Sequence, residues 1–435
     1  MKKFFLVVLI IGLYSIVVSC TSDPNFSETV LINQGEDPTD PDSDSDPDSD
    51  SDSDDDPDPD IDENSSGAEC SGGFAGIYPC FNYDLIGHMS LQNLGSQNPD
   101  EGNDCWGWTD PQTGVEYAIM GLSDRTVFVD ISDPANPVHV ASNGSNIPSQ
   151  WRDAKVFNNH VFIGSEASGH GVQIIDLTRL RDITDPPQFL TNDAVYGGIG
   201  SSHNIVINED SGYAYAVGGD TYGGGPHFIN IQNPTDPIPA GGHNSGYSHD
   251  AQVVNYVGPD PDYQGSEIYI GSNVSGITIV DVTDKNNPET ISTIGYSNAT
   301  YAHQNWLTED HRYVILSDEI DELENGFNTK TIIFDISNLD APVFHFDYFG
   351  DNESTDHNGY VKGDHFFLAS YTAGMRDYDI SGIDNETFSQ TGFFDTHPAS
   401  NQPGYVGAWS VYPYFESGHI IISDRSAGLF IVKKQ

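Results

Sequence analysis

The chain has 435 residues, with 66 acidic and 15 basic side chains and a formal net charge of −51 at pH 7. Nucleic-acid binding requires clustered Lys and Arg, so this balance excludes a nucleic-acid partner and favours cationic partners. Only 16 of the acids lie in the Asp-rich run from Glu36 to Glu63, so the rest of the chain is acidic too.

The start of the chain has the pattern of a secretory leader. Met1-Lys2-Lys3 is a short cationic segment, and Phe4 to Val18 is an almost unbroken apolar run, as in signal peptides. The junction Val17-Val18-Ser19-Cys20 resembles a lipobox, at which bacterial lipoproteins are cleaved and acylated. We predict a signal peptide over residues 1–19 and a lipid on Cys20, which would anchor an exported protein to the bacterial cell envelope, at the outer membrane or cell surface. The alternative is an uncleaved membrane anchor, for which the run is slightly short.

The next segment, residues 20–66, contains the Asp-, Ser- and Pro-rich run. A run so charged and so poor in apolar residues cannot offset the entropy lost on ordering. Its like charges repel and its prolines stiffen it, so we predict a disordered, extended acidic stalk. Carboxylates at every second position also suggest calcium binding, but the run lacks the turn glycine and bidentate glutamate of an EF-hand.

Three further cysteines follow, in a chain that we expect to be exported and therefore permissive for disulfides. Cys70 and Cys80 flank a glycine-rich segment, so we predict that they form a disulfide and that Cys105 is free. A Cys80–Cys105 bridge is the alternative. The sequence has no CxxC motif, which argues against a zinc site built from cysteines.

The remainder of the sequence repeats one unit, a short β-branched strand that ends in Asp or Asn before a turn. The first six strand ends are Asp130, Asp176, Asn230, Asp281, Asp335 and Asp379, and the seventh copy ends at Val432. The steps between these positions are 44–54 residues, and such a period is typical of propeller blades. At strand ends the repeated acids fit turn caps better than catalytic acids.

The two ends of the repeat region complement each other. The last unit, Trp409 to Val432, has three strands, and an additional strand, Asp84 to Leu91, precedes the first unit. Pairing these segments would close the ring and leave no sheet edge exposed. We therefore predict that residues 67–435 form an all-β fold, a seven-bladed β-propeller closed by an N-terminal strand. An open stack of β units is the alternative.

Two sets of motifs resemble known families. The strands Val127-Phe-Val-Asp130 and Ile279-Val-Asp281 are similar to the LVIVD repeat. The segments Phe74-Ala-Gly-Ile-Tyr-Pro-Cys80 and Trp106-Gly-Trp-Thr-Asp-Pro111 resemble the choice-of-anchor B family. The resemblance covers Cys70 to Val432. It implies export, variable anchoring to bacterial surfaces and a propeller-like fold, but no defined activity.

A pair of polar or aromatic residues opens each unit. Because the innermost strand of each blade lines the channel of a propeller, we expect these side chains to gather at one channel mouth. Carboxylates and hydroxyls at the ends of the second strands should surround them. The candidate ligand-binding residues are Trp106, Arg152, Asp153, His203, His249, Asp250, His303, His357 and Trp409.

The four histidines His203, His249, His303 and His357 have three interpretations. Imidazoles beside carboxylates suit a transition metal, and they also suit a pocket for a polar ligand. Alternatively, each repeat uses its His to hydrogen-bond the backbone of the neighbouring blade. Seven blades spread around a channel, so we expect only two or three imidazoles to reach one ion. Calcium is a further possible cofactor at Asp318 to Glu324, where a solvated acidic loop is the preferred interpretation.

The sequence contains no G-x-S-x-G, H-E-x-x-H or P-loop motif, so no residue is predicted to be catalytic. The favoured hypothesis is a surface-anchored propeller that binds an extracellular ligand, a glycan or an envelope protein. One alternative is a metal-dependent hydrolase or oxidoreductase that uses the four histidines with Asp153 or Asp250. The other is a structural module that assembles with envelope proteins.

Overall fold

The computed structural model describes residues 67–96, 101–145 and 147–435. The predicted leader, Cys20 and the predicted stalk up to residue 66 therefore lie outside the described residues. Within those three ranges, none of the helices has the length and apolar character needed to traverse a bilayer.

Short runs of β-branched and aromatic residues, separated by turns rich in Gly, Asn, Asp and Pro, form seven largely antiparallel sheets. We number these sheets blades 1–7, in the chain order of their innermost strands. The innermost strands are Gly102–Thr109, Arg152–Phe157, Asn204–Asn208, Asp250–Asn255, Ala302–Leu307, Gly359–Lys362 and Ala408–Tyr412. The second strands are Glu116–Leu122, His160–Ser165, Tyr213–Val217, Glu267–Ser272, Tyr313–Asp318, His365–Ala369 and His419–Asp424.

The outer half of each blade follows the same order. The third strands are Arg125–Asp130, Val172–Asp176, His227–Asn230, Gly276–Asp281, Lys330–Asp335, Met375–Asp379 and Gly428–Lys434. The fourth strands are Val138–Gly144, Ala194–Tyr196, Ile238–Gly242, Glu289–Gly295, Val343–Phe349, Ser389–Phe394 and, for blade 7, Tyr83–Met89. The short helices of the described residues are Leu177–Asp182, Tyr222–Gly224, Asp321–Asn325 and Ile383–Asn385.

The ring closes between the first and last blades. Each innermost strand contacts the innermost strands of both neighbouring blades, and that of blade 7 contacts that of blade 1. Tyr83–Met89 pairs antiparallel with Gly428–Lys434 and supplies the fourth strand of blade 7, which confirms the predicted closing strand. The Tyr83 hydroxyl also donates to Asp377 Oδ2 of blade 6 at 2.7 Å. The closing strand is thus held by two blades.

Apolar side chains of adjacent blades pack face to face. Between blades 4 and 5, for example, Ile270 and Ile279 form one buried cluster with Leu316, Ile332 and Phe334. Each such side chain contributes about 1.5–3 kcal/mol when it is fully buried. The core of the domain is therefore divided among the blade interfaces, and the channel between the blades carries the polar side chains.

The Asp or Asn that ends each third strand folds the turn that follows it. In blades 1–6 its side-chain oxygen accepts the backbone N–H of the residue two positions later, at 2.8–3.0 Å. These residues are Asp130, Asp176, Asn230, Asp281, Asp335 and Asp379. The structure thus confirms their predicted role as turn caps.

The N-terminal part of the described chain is also tied to blade 6. Tyr78–Phe81 pairs with the outer strand of that blade. Cys70 and Cys80 form a disulfide with their Cα atoms 6.0 Å apart, in agreement with the predicted pairing. Cys105 is a buried free thiol, so the alternative bridge to Cys80 is absent.

Candidate functional site

The channel end at which the innermost strands begin carries a row of four imidazoles. The ring centroids of His203 and His249 are 3.9 Å apart, and those of His249, His303 and His357 follow at 4.2 Å each. Indole rings lie at the two ends of the row, 6.4 Å from His203 and 4.7 Å from His357. We define the histidine mouth as His203, His249, His303 and His357 with Trp151 and Trp409.

Hydrogen bonds fix the orientation of three of the rings. His249 Nδ1 lies 3.2 Å from the carbonyl oxygen of His303 in the next blade, and His357 Nδ1 lies 2.5 Å from that of Trp409. A carbonyl oxygen can only accept, so Nδ1 carries the proton and Nε2 of the neutral ring keeps a lone pair. His203 Nδ1 lies 2.6 Å from Glu166 Oε1. The predicted bonding to a neighbouring blade is therefore present in His249 and His357.

Burial lowers the pKa of three of the four imidazoles. It lowers the pKa of His249 and of His303 well below the usual range, and the neighbouring imidazoles add to this effect. Burial also lowers the pKa of His357 to about 3, although its bond to the Trp409 carbonyl acts in the opposite direction. Neutral imidazoles with available nitrogen lone pairs are the form that binds ligands or metal ions.

A carboxylate bridges two of the rings. Glu319 Oε2 lies 3.7 Å from His303 Nε2, and Glu319 Oε1 lies 3.7 Å from His357 Nε2. The Tyr371 hydroxyl donates to the same Oε1 at 2.9 Å. One donor atom from each of His303, Glu319 and His357 lies within 4.8 Å of the others. Two of the four histidines predicted as metal ligands thus form a compact set with a glutamate.

The acidic stretch after Ser317 does not form the predicted solvated loop, and that interpretation was wrong. Asp318, Asp321 and Glu322 are buried, because the chain turns into the helix Asp321–Asn325 and packs against Lys330. The Lys330 Nζ lies 3.3 Å from Asp321 Oδ2. The sequence pattern did not reveal this burial, because nothing local to the stretch distinguishes a solvated acidic turn from an enclosed one.

Deeper in the channel, charged side chains surround Lys155. Its Nζ lies 2.5 Å from Asp153 Oδ1 and 3.9 Å from Asp104 Oδ2. Asp153 Oδ2 also accepts the N–H of Ile205 in the next blade at 2.8 Å. Burial raises the pKa of Asp250 to about 7, while the charge of Lys155 lowers it. The two predicted site aspartates, Asp153 and Asp250, therefore lie in a charge cluster with Lys155, and neither lines the cleft of the four histidines.

Arg152 occupies its predicted place beside the histidines, but its guanidinium is used within the fold. The side chain is buried, and its Nε donates to the Leu122 carbonyl of blade 1 at 3.1 Å. A guanidinium nitrogen also lies 3.2 Å from His170 Nε2. Arg152 therefore connects blades 1 and 2 at the wall of the mouth.

Trp106 lies away from the histidine mouth, which corrects its predicted position. The innermost strand of blade 1 begins at Gly102, earlier in the chain than the sequence pattern indicated. As a result Asp104, and not Trp106, lines the cleft with the four histidines. Trp106 pairs with Ile119 further along the strand and lies at the other end of the channel.

At that other end, where the innermost strands finish, side chains enclose a cavity of about 380 Å³. Four half-buried aromatic rings, five aliphatic side chains and three polar groups form its wall. We define the aromatic cavity by Trp106, Trp306, Tyr412 and Tyr414 with Lys155, Gln252 and Glu209. The volume falls in the range of about 300–1,000 Å³ that is usual for small-molecule sites, and such sites are also mostly apolar.

Edge-to-face contacts hold the rings of the aromatic cavity in place. The Trp106 ring centroid is 5.1 Å from that of Tyr412, and the Trp306 centroid is 4.8 Å from that of Tyr360. Tyr414 donates its hydroxyl proton to the Val361 carbonyl at 3.0 Å. These contacts orient the rings before any ligand arrives.

Sequence reasoning missed this cavity as a site, although Trp106 was among the candidates. The available signal was an aromatic residue near the end of an innermost strand in several units, at Trp306 and Tyr412 as well as Trp106. Grouping these positions requires the strand register. The register became visible only in the structure.

Neither a protein-family model nor a curated protein matches this sequence. Solved structures similar to the chain include the β-propeller domain of Swd1 from Myceliophteria thermophila, with 9% identity, a TM-score of 0.49 and coverage of 73% of this chain and 93% of that one. Another is a protein from Lactobacillus plantarum, with 10% identity, a TM-score of 0.48 and coverage of 74% and 88%. The assignment of seven blades and of ring closure rests on the strand pairing described above.

Proposed function

We propose that this protein is a surface-anchored binding module whose aromatic cavity takes a carbohydrate ligand. The observation that carries the proposal is the cavity itself, a preformed space of about 380 Å³ at one end of the channel, where four Trp and Tyr rings share the wall with aliphatic side chains. The C–H face of a sugar ring packs on an aromatic face, and the sugar hydroxyls need polar partners at its edge.

The polar groups of the cavity suit such a ligand. Gln252 accepts the Leu307 N–H through Oε1 at 2.8 Å, which orients its amide group and leaves the amide nitrogen as a donor. Lys155 Nζ lies 4.6 Å from the centroid of the Trp106 ring and is paired with Asp153. Because this ammonium is already neutralised, the cavity favours a neutral, hydroxyl-rich ligand over an anion.

The anchoring part of the proposal rests on the sequence. A lipid on Cys20 and an extended acidic stalk over residues 20–66 would hold the propeller away from the envelope surface, where extracellular glycans are accessible. The resemblance to the choice-of-anchor B family supports the same arrangement. Mass spectrometry of the mature chain should find an acylated Cys20 at its N-terminus, and an unmodified Cys20 or a retained leader would contradict the lipid anchor.

The ligand is tested by screening the full chain on a glycan array and measuring any bound oligosaccharide by calorimetry. We expect Trp306→Ala to weaken binding about tenfold or more, since one lost stacking contact is worth about 1.4 kcal/mol. Trp151→Ala, at the histidine mouth, is the matched control and should leave the affinity unchanged. Circular dichroism establishes that both variants are folded.

The result also separates the alternative functions. An array without binding, or a glycan that Trp306→Ala binds as tightly as the parent, would overturn the carbohydrate assignment. If cross-linking in cells then captured an envelope protein whose recovery did not depend on the cavity residues, the structural-module hypothesis would replace it.

A further inference from the structure

We propose that His303, Glu319 and His357 bind one transition-metal ion at the histidine mouth. This site is at the opposite end of the channel from the aromatic cavity and does not depend on the proposed carbohydrate function. The geometry points to a centre with two imidazole nitrogens and one carboxylate.

The spacing of the donor atoms fits a first-row metal ion. The Glu319 oxygens lie 3.7 Å from His303 Nε2 and from His357 Nε2. Ligands at about 2.0–2.1 Å from a tetrahedral zinc ion are roughly 3.4 Å apart. Each imidazole nitrogen is thus close to that spacing from one Glu319 oxygen, and one donor atom from each of the three residues lies within 4.8 Å of the others.

The surroundings hold two of the three ligands in the binding orientation. His357 Nδ1 donates to the Trp409 carbonyl, which turns the Nε2 lone pair towards Glu319. The Tyr371 hydroxyl donates to Glu319 at 2.9 Å and fixes the carboxylate. In metal sites of proteins, a ligating His usually donates its other N–H to a carbonyl or carboxylate, and a ligating carboxylate usually accepts a hydrogen bond from a further group.

Buried carboxyl groups lie next to two of the ligands in the sequence. Asp318, Asp321, Glu322 and Asp356 are buried beside Glu319 and His357 in the sequence. Among the described residues, Lys330 is the one side chain that forms an ion pair with any of the four. Both carboxylate oxygens of Asp356, which precedes His357, are buried and lack a hydrogen-bond partner within the described part of the chain. The unpartnered Asp356 carboxyl, next to His357 in the chain, is an observation independent of the donor spacing.

The donor set selects the class of metal. Imidazole nitrogens suit Zn²⁺, Co²⁺, Ni²⁺ and Cu²⁺, whereas Ca²⁺ and Mg²⁺ prefer sites made entirely of oxygen ligands. Three protein ligands leave a fourth position of a tetrahedral ion open. His249, whose ring centroid is 4.2 Å from that of His303, is the next imidazole along the row.

The test uses the full chain after removal of metal with a chelator. Zinc is titrated by calorimetry, and the metal content is measured by mass spectrometry after dialysis. We expect one zinc ion per chain, no comparable binding of Ca²⁺, and an increase in the thermal unfolding temperature. Cobalt at the same site should give the visible absorption of a tetrahedral centre.

Two variants distinguish this site from other histidines. Glu319→Gln keeps the size of the side chain and an oxygen that accepts from Tyr371, and we expect it to weaken zinc binding at least tenfold and to abolish the cobalt absorption. His243→Asn, at an exposed hydrogen bond to Thr290, is the matched control and should bind zinc like the parent. Equal zinc affinity in Glu319→Gln and the parent, or a parent chain that retains no metal after dialysis, would overturn the proposal. The carbohydrate proposal is tested with Trp306→Ala at the other end of the channel. Either proposal can therefore be refuted while the other stands.

Discussion

The position of Asp250 in the charge cluster around Lys155 predicts an unusual pH dependence of the free energy of unfolding. Burial raises the pKa of Asp250 to about 7, against about 3.9 in an unfolded chain. Between these values the folded state holds a proton that the unfolded state has released, so this carboxyl makes the fold less stable as pH rises. Asp250→Asn removes the titration and keeps an oxygen that accepts the Ala251 N–H, as Oδ1 does at 2.7 Å.

The size of the effect follows from the two pKa values. Between pH 5 and pH 7.5 the linkage amounts to about 2.5 kcal/mol, and partial contact of the side chain with water reduces it to about 1–2 kcal/mol. Relative to the parent, Asp250→Asn should therefore gain that much free energy of unfolding when the pH is raised from 5 to 7.5. The measurement is urea unfolding of both chains at the two pH values, in the presence of chelator, followed by tryptophan fluorescence and circular dichroism.

Asp153→Asn is the matched comparison, because Asp153 pairs directly with Lys155 at 2.5 Å and accepts the Ile205 N–H. Loss of that pair should destabilise the fold at pH 7.5. The reasoning about the cluster is refuted if Asp250→Asn changes the free energy of unfolding equally at both pH values, or if it behaves like Asp153→Asn.

Two further predictions concern the fold. Tyr83→Phe removes the hydroxyl that donates to the buried Asp377 and should lower the free energy of unfolding by about 1–2 kcal/mol, measured by urea unfolding. Tyr263 donates its hydroxyl proton to the exposed Asp340, so Tyr263→Phe should lower the free energy of unfolding by less. An equal loss in both variants would argue against a special role of the closing strand. Asp281→Ala removes the turn cap of blade 4 and should cost about 1 kcal/mol, whereas Asp281→Asn should be nearly neutral, since Asn already caps the same turn in blade 3.

The blade count and the closing strand could be predicted because they depend on local patterns. Each unit repeats a β-branched strand that ends in Asp or Asn, and the side chain that marks the repeat also forms the turn, as Asp130 and Asp281 do. The orphan strand near Asp84 lacks a local partner, and the last unit lacks a fourth strand. Exposed sheet edges are unfavourable, so the unpaired strand is predicted to complete the last unit.

Two features of the candidate site could not be predicted from local sequence patterns. Trp106 was assigned to the wrong mouth because the innermost strand of blade 1 begins at Gly102, so that Asp104 and not Trp106 lies beside the histidines. Asp321 and Glu322 are buried where the helix packs against Lys330 of the same blade. Both features depend on strand register and side-chain packing within a blade, which the repeated strand pattern does not specify.

The histidine row shows why a structural role does not exclude a functional one. The sequence offered backbone bonding between blades and metal binding as competing interpretations of the same residues. In His357 the two roles use different atoms, since Nδ1 bonds the Trp409 carbonyl of the next blade and Nε2 faces Glu319. The bond between blades fixes the tautomer that a metal ligand requires. A repeat can therefore place His at this position to join blades, and the ring of blades then brings the unused nitrogens together at the mouth of the channel.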